Sequence, residues 1–159
     1  MLVVADSSPL IYLSRAGAIH VLPALFDEVV VPRAVWDEAV ERRPSAPGIS
    51  ALHQASWLRV VDDPSVELDL GLDPGETAAI ALAESLRADL LLIDERAGRK
   101  VAQARGLSVR GTLGVLVQAR RSEVLPALKP VLDALLAEGF RIAPALIREA
   151  LAHVGEGSE

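Results

Sequence analysis

The chain has 159 residues, of which 51% are hydrophobic, 24% are charged and only 3% are aromatic, and its formal net charge is −6 at pH 7. This length and composition are typical of a folded domain with a sizeable core, and they exclude an intrinsically disordered chain. The chain has no cysteine, which excludes disulfides and thiolate metal sites. No apolar run is long enough to cross a membrane and no basic segment precedes the first apolar run, so we expect a cytoplasmic protein without membrane contact.

Short apolar strands alternate with amphipathic helices along the chain. Strands are predicted at residues 3–5, 28–31, 57–61, 89–93 and 107–110. Helices are predicted at residues 10–15, 19–25, 33–42, 49–56, 73–86, 96–105, 111–121, 125–138 and 143–152. Because strands joined through helices form right-handed crossovers, this order predicts an α/β fold, a three-layer α/β/α sandwich with a central, mostly parallel sheet. We expect a single domain over residues 1–159, in which residues 123–152 form a C-terminal helical extension.

The first strand leads directly into a polar segment. Val3–Ala5 is followed by Asp6, Ser7, Ser8 and Pro9. Either serine can cap a following helix, and proline suits the first turn of a helix. Asp6 is then placed at the carboxyl end of a buried strand, where open α/β sheets bind their ligands. The alternative, that Asp6 only caps the helix, is equally open from its position alone.

Three further acids have positions that allow them to join Asp6. Asp94 directly follows the fourth strand, Glu76 lies in the first turn of the helix before that strand, and Glu38 lies at the inward edge of the helix over 33–42. Carboxylates gathered in one crevice repel one another and must take up protons or bind a cation. Oxygen ligands suit Mg²⁺ or Mn²⁺. Taken singly, each acid has the alternative of capping a helix or lying in solvent.

Four motifs, taken together with their order and spacing, resemble those of the PIN-domain family, a group of metal-dependent ribonucleases. The motifs are VADSSPLI at 4–11, VPRAVWDE at 31–38, LDPGETAAIALA at 72–83 and LLIDER at 91–96. The GTLG turn at 111–114 is similar to a turn in one PIN-like branch. The resemblance covers residues 2–121.

The resemblance implies a role for each of these residues. It implies that Asp6, Glu38, Glu76 and Asp94 are the acidic quartet that holds Mg²⁺ or Mn²⁺, and that Ser7 and Thr112 are hydroxyls beside the metal. It also implies that the protein is the toxin of a toxin–antitoxin pair, inhibited by a small antitoxin that inserts a segment into the acidic groove. The sequence departs from the family pattern in two ways: a companion acid that often follows the position of Asp94 is missing, and Glu76 is one methylene longer than the aspartate of many members.

The segment 96–121 carries seven basic residues and no acid. The basic residues that recur there at helical spacing are Arg96, Arg99 and Lys100. They are candidates for holding RNA phosphates while the acids hold the metal. The alternative is a solvated helix face, or ion pairs with Glu84 and Asp89.

These observations favour a Mg²⁺- or Mn²⁺-dependent endoribonuclease with an RNA substrate. Two alternatives stay open, a PIN-like module that binds RNA or protein without cutting, and a phosphohydrolase acting on small molecules. The apolar stripe of the helix at 125–138 predicts core packing, with a homodimer contact or an antitoxin groove as the alternatives.

Overall fold

The computed structural model describes residues 1–65 and 69–157. In this part of the chain the strands are β1 (Leu2–Ala5), β2 (Glu28–Pro32), β3 (Leu58–Val61), β4 (Leu90–Leu92) and β5 (Val109–Arg110). The helices are α1 (Ser7–Arg15), α2 (Val21–Leu25), α3 (Arg33–Trp36), α4 (Ile49–His53), α5 (Pro74–Leu86), α6 (Arg96–Ala104), α7 (Thr112–Arg121), α8 (Lys129–Ala137) and α9 (Pro144–His153). Residues 158–159, which belong to the predicted domain, lie outside the described residues.

The strands form one sheet in the order β3-β2-β1-β4-β5, and every neighbouring pair is parallel. This arrangement confirms the predicted α/β sandwich. Strand β1 lies at the centre because Val3, Val4 and Ala5 are apolar and all three are 0% exposed, as expected of a strand covered on both faces. The carboxyl ends of all the strands therefore meet at one edge of the sheet.

Helices cover both faces of the sheet. Helix α5 packs against β1, β2 and β4, whereas α2 packs against β2 and α7, and α1 packs against α4, α7 and α8. Right-handed crossovers place α5 and α6 on the face opposite α1 and α2, because the connections after β3 run back across the sheet. Across the described residues, no helix has the length and apolar character needed to span a membrane.

Four predicted helices differ from the structure in type or by at least three residues. Helix α1 begins at Ser7 rather than at residue 10, and α4 ends at His53 rather than at residue 56. The predicted helix over 33–42 begins as α3 and then widens into a π-helical turn, Asp37–Glu41. The predicted helix over 125–138 begins four residues later, at Lys129. Pro130 is the physical reason, since a proline lacks an amide hydrogen and disfavours helical backbone before it, so the helix has to start beside it.

The C-terminal helices share the core of the sheet. Leu128, Leu132 and Leu135 are almost fully buried in the same hydrophobic cluster as β1, so the apolar stripe of α8 packs inward. The Glu156 carboxylate, just after α9, accepts hydrogen bonds from the backbone amides of Leu128 (2.8 Å) and Lys129 (3.2 Å). This carboxylate ties the end of the chain to the start of α8.

Candidate active site

Asp6 and Asp94 emerge from neighbouring parallel strands at the same edge of the sheet. Strands β1 and β4 pair in the register Ala5 to Leu92, and the Asp6 amide donates a hydrogen bond to the Leu92 carbonyl at 2.8 Å. Asp94 follows β4 after one further residue, Ile93. The crossover rule therefore placed these two carboxylates correctly relative to the sheet.

The Asp6 side chain is buried without satisfying its hydrogen-bonding capacity. It is 3% exposed, and its Oδ1 has no hydrogen-bond partner among the described residues. Asp6 occupies the N-cap position of α1, yet its side chain makes no capping hydrogen bond. Burial raises the pKa of Asp6 to about 7, and the carboxylates of Asp73, Glu38 and Asp94 add to the shift. A purely structural cap does not account for these properties.

Glu76 is the second buried acid, and its position comes from the start of α5. The Asp73 carboxylate caps this helix by accepting a hydrogen bond from the Glu76 amide at 2.8 Å. The Glu76 side chain lies against Gly98 of α6, and its Oε2 is buried with no partner in the described part of the chain. Burial raises the pKa of Glu76 to about 8, with further contributions from Asp73 and Asp6.

Glu38 reaches the same cleft from the π-helical turn. π-Helical turns are frequent at functional sites because they change the direction of one side chain within a helix. Glu38 Oε2, Asp73 Oδ1 and Asp6 Oδ1 lie 2.8, 3.5 and 3.8 Å from the position that a Cβ on Gly75 would occupy. The absence of a side chain at Gly75 therefore allows these three carboxylates to approach one another.

Asp94 is held by the first residue of α7. Its Oδ1 accepts the Thr112 amide and its Oδ2 accepts the Thr112 hydroxyl, both at 2.7 Å. Thr112 is 0% exposed. The predicted hydroxyl at 112 thus contacts one member of the predicted acidic quartet, and Ser7 lines the cleft beside Asp6.

These acids line a cleft of about 280 Å³. We call this cavity the acidic cleft. The acids that line it are Asp6, Glu38, Asp73, Glu76 and Glu95. Asp94 lines a second, larger cavity beside the acidic cleft, and its charge contributes to the raised pKa of Asp6.

The donor chemistry of the acidic cleft fits a hard divalent cation. Carboxylate oxygens are its preferred ligands, and two of those present, on Asp6 and Glu76, are buried with no hydrogen-bond partner among the residues that the structure describes. In their present rotamers, no three His, Asp or Glu side chains of residues 1–65 and 69–157 stand where they could hold one ion together. Binding would therefore require rotations of the carboxylates.

A basic groove of about 740 Å³ adjoins the acidic cleft, and the two share Ser8, Tyr12 and Glu95. We call this cavity the basic groove. The arginines that line it are Arg96, Arg99, Arg110 and Arg141. Of the three predicted RNA-binding residues, the structure brings Arg96 and Arg99 to the groove, whereas Lys100 is exposed and is not part of its lining.

The alternative ion pairs of these basic residues are not formed. Glu84 pairs with Arg105, and Asp89 accepts the Leu2 amide at 2.7 Å. Among the described residues, no ion pair involves Arg96 or Arg99. Their guanidinium groups are therefore free of acidic partners in that part of the chain.

Sequence reasoning missed several residues that line the two cavities. Asp73 is absent from the predicted site residues, although its position three residues before Glu76 is that of a helix cap, and it lines the same cleft. Arg141 and Phe140 come from the loop between α8 and α9, and the Phe140 ring lies 4.8 Å from the Tyr12 ring, centroid to centroid. No local signal in the sequence indicates this long-range contact.

The comparison with protein families agrees with this geometry. A family model described as a PIN domain matches residues 2–156, well beyond the 2–121 covered by the sequence motifs. Neither the curated proteins nor the solved structures contain a match to the chain. PIN domains are in general nucleases that use divalent metal ions. From its motifs, its parallel sheet and this match over nearly its whole length, the chain belongs to the PIN-domain family.

Proposed function

We propose that the protein is a Mg²⁺- or Mn²⁺-dependent endoribonuclease that hydrolyses RNA phosphodiester bonds. The observation that carries this proposal is the junction of two cavities. The acidic cleft contains two buried carboxylate oxygens without partners among the described residues, and the basic groove beside it is lined by four arginines. One cavity suits a hard cation and the other suits the phosphates of a nucleic acid.

Asp6, Glu38, Glu76 and Asp94 would hold the cation, and Ser7 and Thr112 would support them. A bound divalent cation would supply water activation and would stabilise the charge that develops on the phosphate. Thr112 fixes the orientation of Asp94 through two hydrogen bonds. Arg96 and Arg99 would bind the phosphates of the RNA backbone and place the scissile bond at the acidic cleft.

We further propose that the enzyme is the toxin of a toxin–antitoxin pair in the cytoplasm. The antitoxin would be a small protein that inserts a segment into the acidic cleft. Family membership and the open connection between the acidic cleft and the basic groove support this role. Co-expression with the product of a neighbouring small open reading frame tests it: we expect a stable complex that lacks RNA cleavage, and two proteins that purify separately would contradict it.

A second candidate is a PIN module that binds RNA without cutting it. The observation in its favour is that the described acids do not stand ready, in their present rotamers, to hold one ion. This candidate predicts equal RNA binding in Mg²⁺ and in chelator, and no cleavage in either.

Cleavage of a labelled single-stranded RNA in Mn²⁺ and in chelator distinguishes the two candidates. We expect cleavage only with the cation, and loss of cleavage in Asp6→Asn without loss of folding. For the groove, Arg99→Ala should weaken RNA binding, while Lys100→Ala, the matched control on the next residue, should not. Full cleavage by Asp6→Asn, or cleavage unaffected by chelator, would contradict the proposed mechanism.

A further inference from the structure

Two arginines line the acidic cleft among its carboxylates. They are Arg15, the last residue of α1, and Arg43, just after the π-helical turn. The Nε of Arg15 is buried and has no hydrogen-bond partner among the described residues. The Nε of Arg43 donates to the backbone carbonyl of Glu38 at 3.3 Å. Within residues 1–65 and 69–157, no ion pair involves either arginine.

Neutralisation of the acids does not explain these arginines well. A guanidinium that balances a carboxylate normally forms short, charge-assisted hydrogen bonds with it. Arg15 instead lies near the Tyr12 ring, with its Cζ 5.9 Å from the ring centroid, and Arg43 is oriented by a backbone carbonyl. Both side chains are thus positioned by groups other than the cleft carboxylates, which leaves donors for an anion.

The sheet topology places Arg43 away from the basic groove. Arg43 follows β2, which lies on one side of β1, whereas Arg96 and Arg99 follow β4 on the other side. Asp6 follows the central strand β1 and lies between them. Arg43 therefore lies on the side of Asp6 opposite Arg96 and Arg99, while Arg15 lines the acidic cleft from the helix that follows the central strand.

We propose that Arg15 and Arg43 form a second phosphate-binding site, which holds the RNA backbone on the side of the scissile phosphate opposite the basic groove. The inference rests on the proposed ribonuclease function and deepens it. A single strand that crosses the acidic cleft carries phosphates on both sides of the bond to be cut. Contacts on both sides favour cleavage inside a strand over removal of terminal nucleotides.

The salt dependence of RNA binding tests this site without requiring cleavage. The probe is a fluorescein-labelled single-stranded RNA, bound to the Asp6→Asn protein in Mg²⁺ and followed by anisotropy at increasing KCl concentration. Each lost phosphate contact should reduce the slope of log K against log salt by about 0.7 for a single strand. We therefore expect the added pair Arg15→Gln and Arg43→Gln to reduce the slope by about 1.4.

Three comparisons make the result specific. Arg42→Gln is the matched control, because Arg42 is exposed, neighbours Arg43 and does not line the acidic cleft. Arg15→Lys with Arg43→Lys keeps the charges and should restore most of the slope. Arg96→Gln with Arg99→Gln should cause a separate loss that adds to the first, because no arginine belongs to both pairs.

An unchanged slope in the Arg15→Gln, Arg43→Gln protein would overturn the second site, as would a failure of the RNA to bind at all. An equal loss of slope in the Arg42→Gln control would also overturn it, because the effect would then reflect net charge alone. A slope that falls as expected, together with a wild-type protein that never cuts RNA, would contradict the proposed nuclease activity and leave the second site supported.

Discussion

Thr112 donates two hydrogen bonds to Asp94, one from its backbone amide and one from its hydroxyl, each 2.7 Å long. The two bonds go to different carboxylate oxygens, so they fix the plane of the carboxylate as well as its position. Helix α7 begins at Thr112, and the partial positive charge of its first turn also favours an anion there. Asp94 is thereby oriented before any ligand binds.

Replacement Thr112→Val removes the hydroxyl bond while nearly preserving the volume of the side chain. Because an oxygen of a charged group loses a buried donor, we expect the free energy of unfolding to fall by about 1–3 kcal/mol. We also expect the affinity for Mn²⁺ to fall by roughly 10–100-fold, since groups that orient a ligand affect the metal it binds. Urea unfolding and Mn²⁺ titration measure the two effects. Thr112→Ser, which keeps the hydroxyl, is the control, and equal Mn²⁺ affinities in the two variants would contradict the role of the hydroxyl.

Replacement Gly75→Ala tests whether the carboxylates need to converge. The new Cβ would lie 2.8 Å from Glu38 Oε2, so the Glu38 side chain would have to move away. We expect cleavage to fall by roughly tenfold, which corresponds to about 1.4 kcal/mol of transition-state stabilisation. Cleavage rates measure it, with thermal unfolding as a check on folding. Pro74→Ala, at the exposed preceding residue, should cleave at the wild-type rate, and a Gly75→Ala protein of undiminished activity would show that Glu38 can move without consequence.

Stability of the metal-free protein should decrease as the pH rises. The pKa of Asp6 is raised from 3.8 to about 7 and that of Glu76 from 4.5 to about 8, mainly by burial. The native state therefore binds these protons more tightly than the unfolded chain, and the stability they contribute is lost between the unfolded and folded pKa values. Thermal unfolding in chelator from about pH 5 to about pH 8 measures this loss. The double variant Asp6→Asn, Glu76→Gln should have a flatter profile, and two profiles that run in parallel would contradict the expectation.

Divalent cations should reverse this loss. A cation that binds only the folded protein stabilises it by about 2.7 kcal/mol at a free concentration of about 100 times its Kd. We therefore expect Mn²⁺ to raise the Tm of the wild-type protein at neutral pH and to raise that of Glu38→Gln less at the same concentration. Asp133→Asn is the control, because Asp133 is an exposed acid on α8 that pairs with Lys129. If Glu38→Gln and Asp133→Asn respond alike, Glu38 is not a ligand.

The sheet edge that carries Asp6 and Asp94 could be predicted from the sequence. Each residue comes directly after an apolar run that is too short for a helix, and the handedness of crossovers then leaves one edge for both. The start of α8 was also encoded locally, since Pro130 limits how far the helix extends toward the N-terminus. The prediction that began at residue 125 gave the apolar stripe more weight than the proline.

Other parts of the candidate site depend on contacts that no local pattern reveals. The π-helical turn that carries Glu38 differs from an α-helix by one residue, which apolar periodicity over so short a segment does not resolve. Arg141 and Phe140 join the basic groove only because α8 packs against α1. Those contacts depend on tertiary packing, which the sequence pattern does not reveal.

Carboxylates from four separate segments are proposed to bind a hard cation at the carboxyl edge of the sheet. A crystal structure of the protein grown with Mn²⁺, with anomalous diffraction data, tests it most directly. We expect one or more anomalous peaks within about 2.0–2.3 Å of oxygens from Asp6 and Asp94, with Glu38 or Glu76 completing the site. An acidic cleft without a peak, in crystals where Mn²⁺ binds elsewhere on the protein, would contradict it.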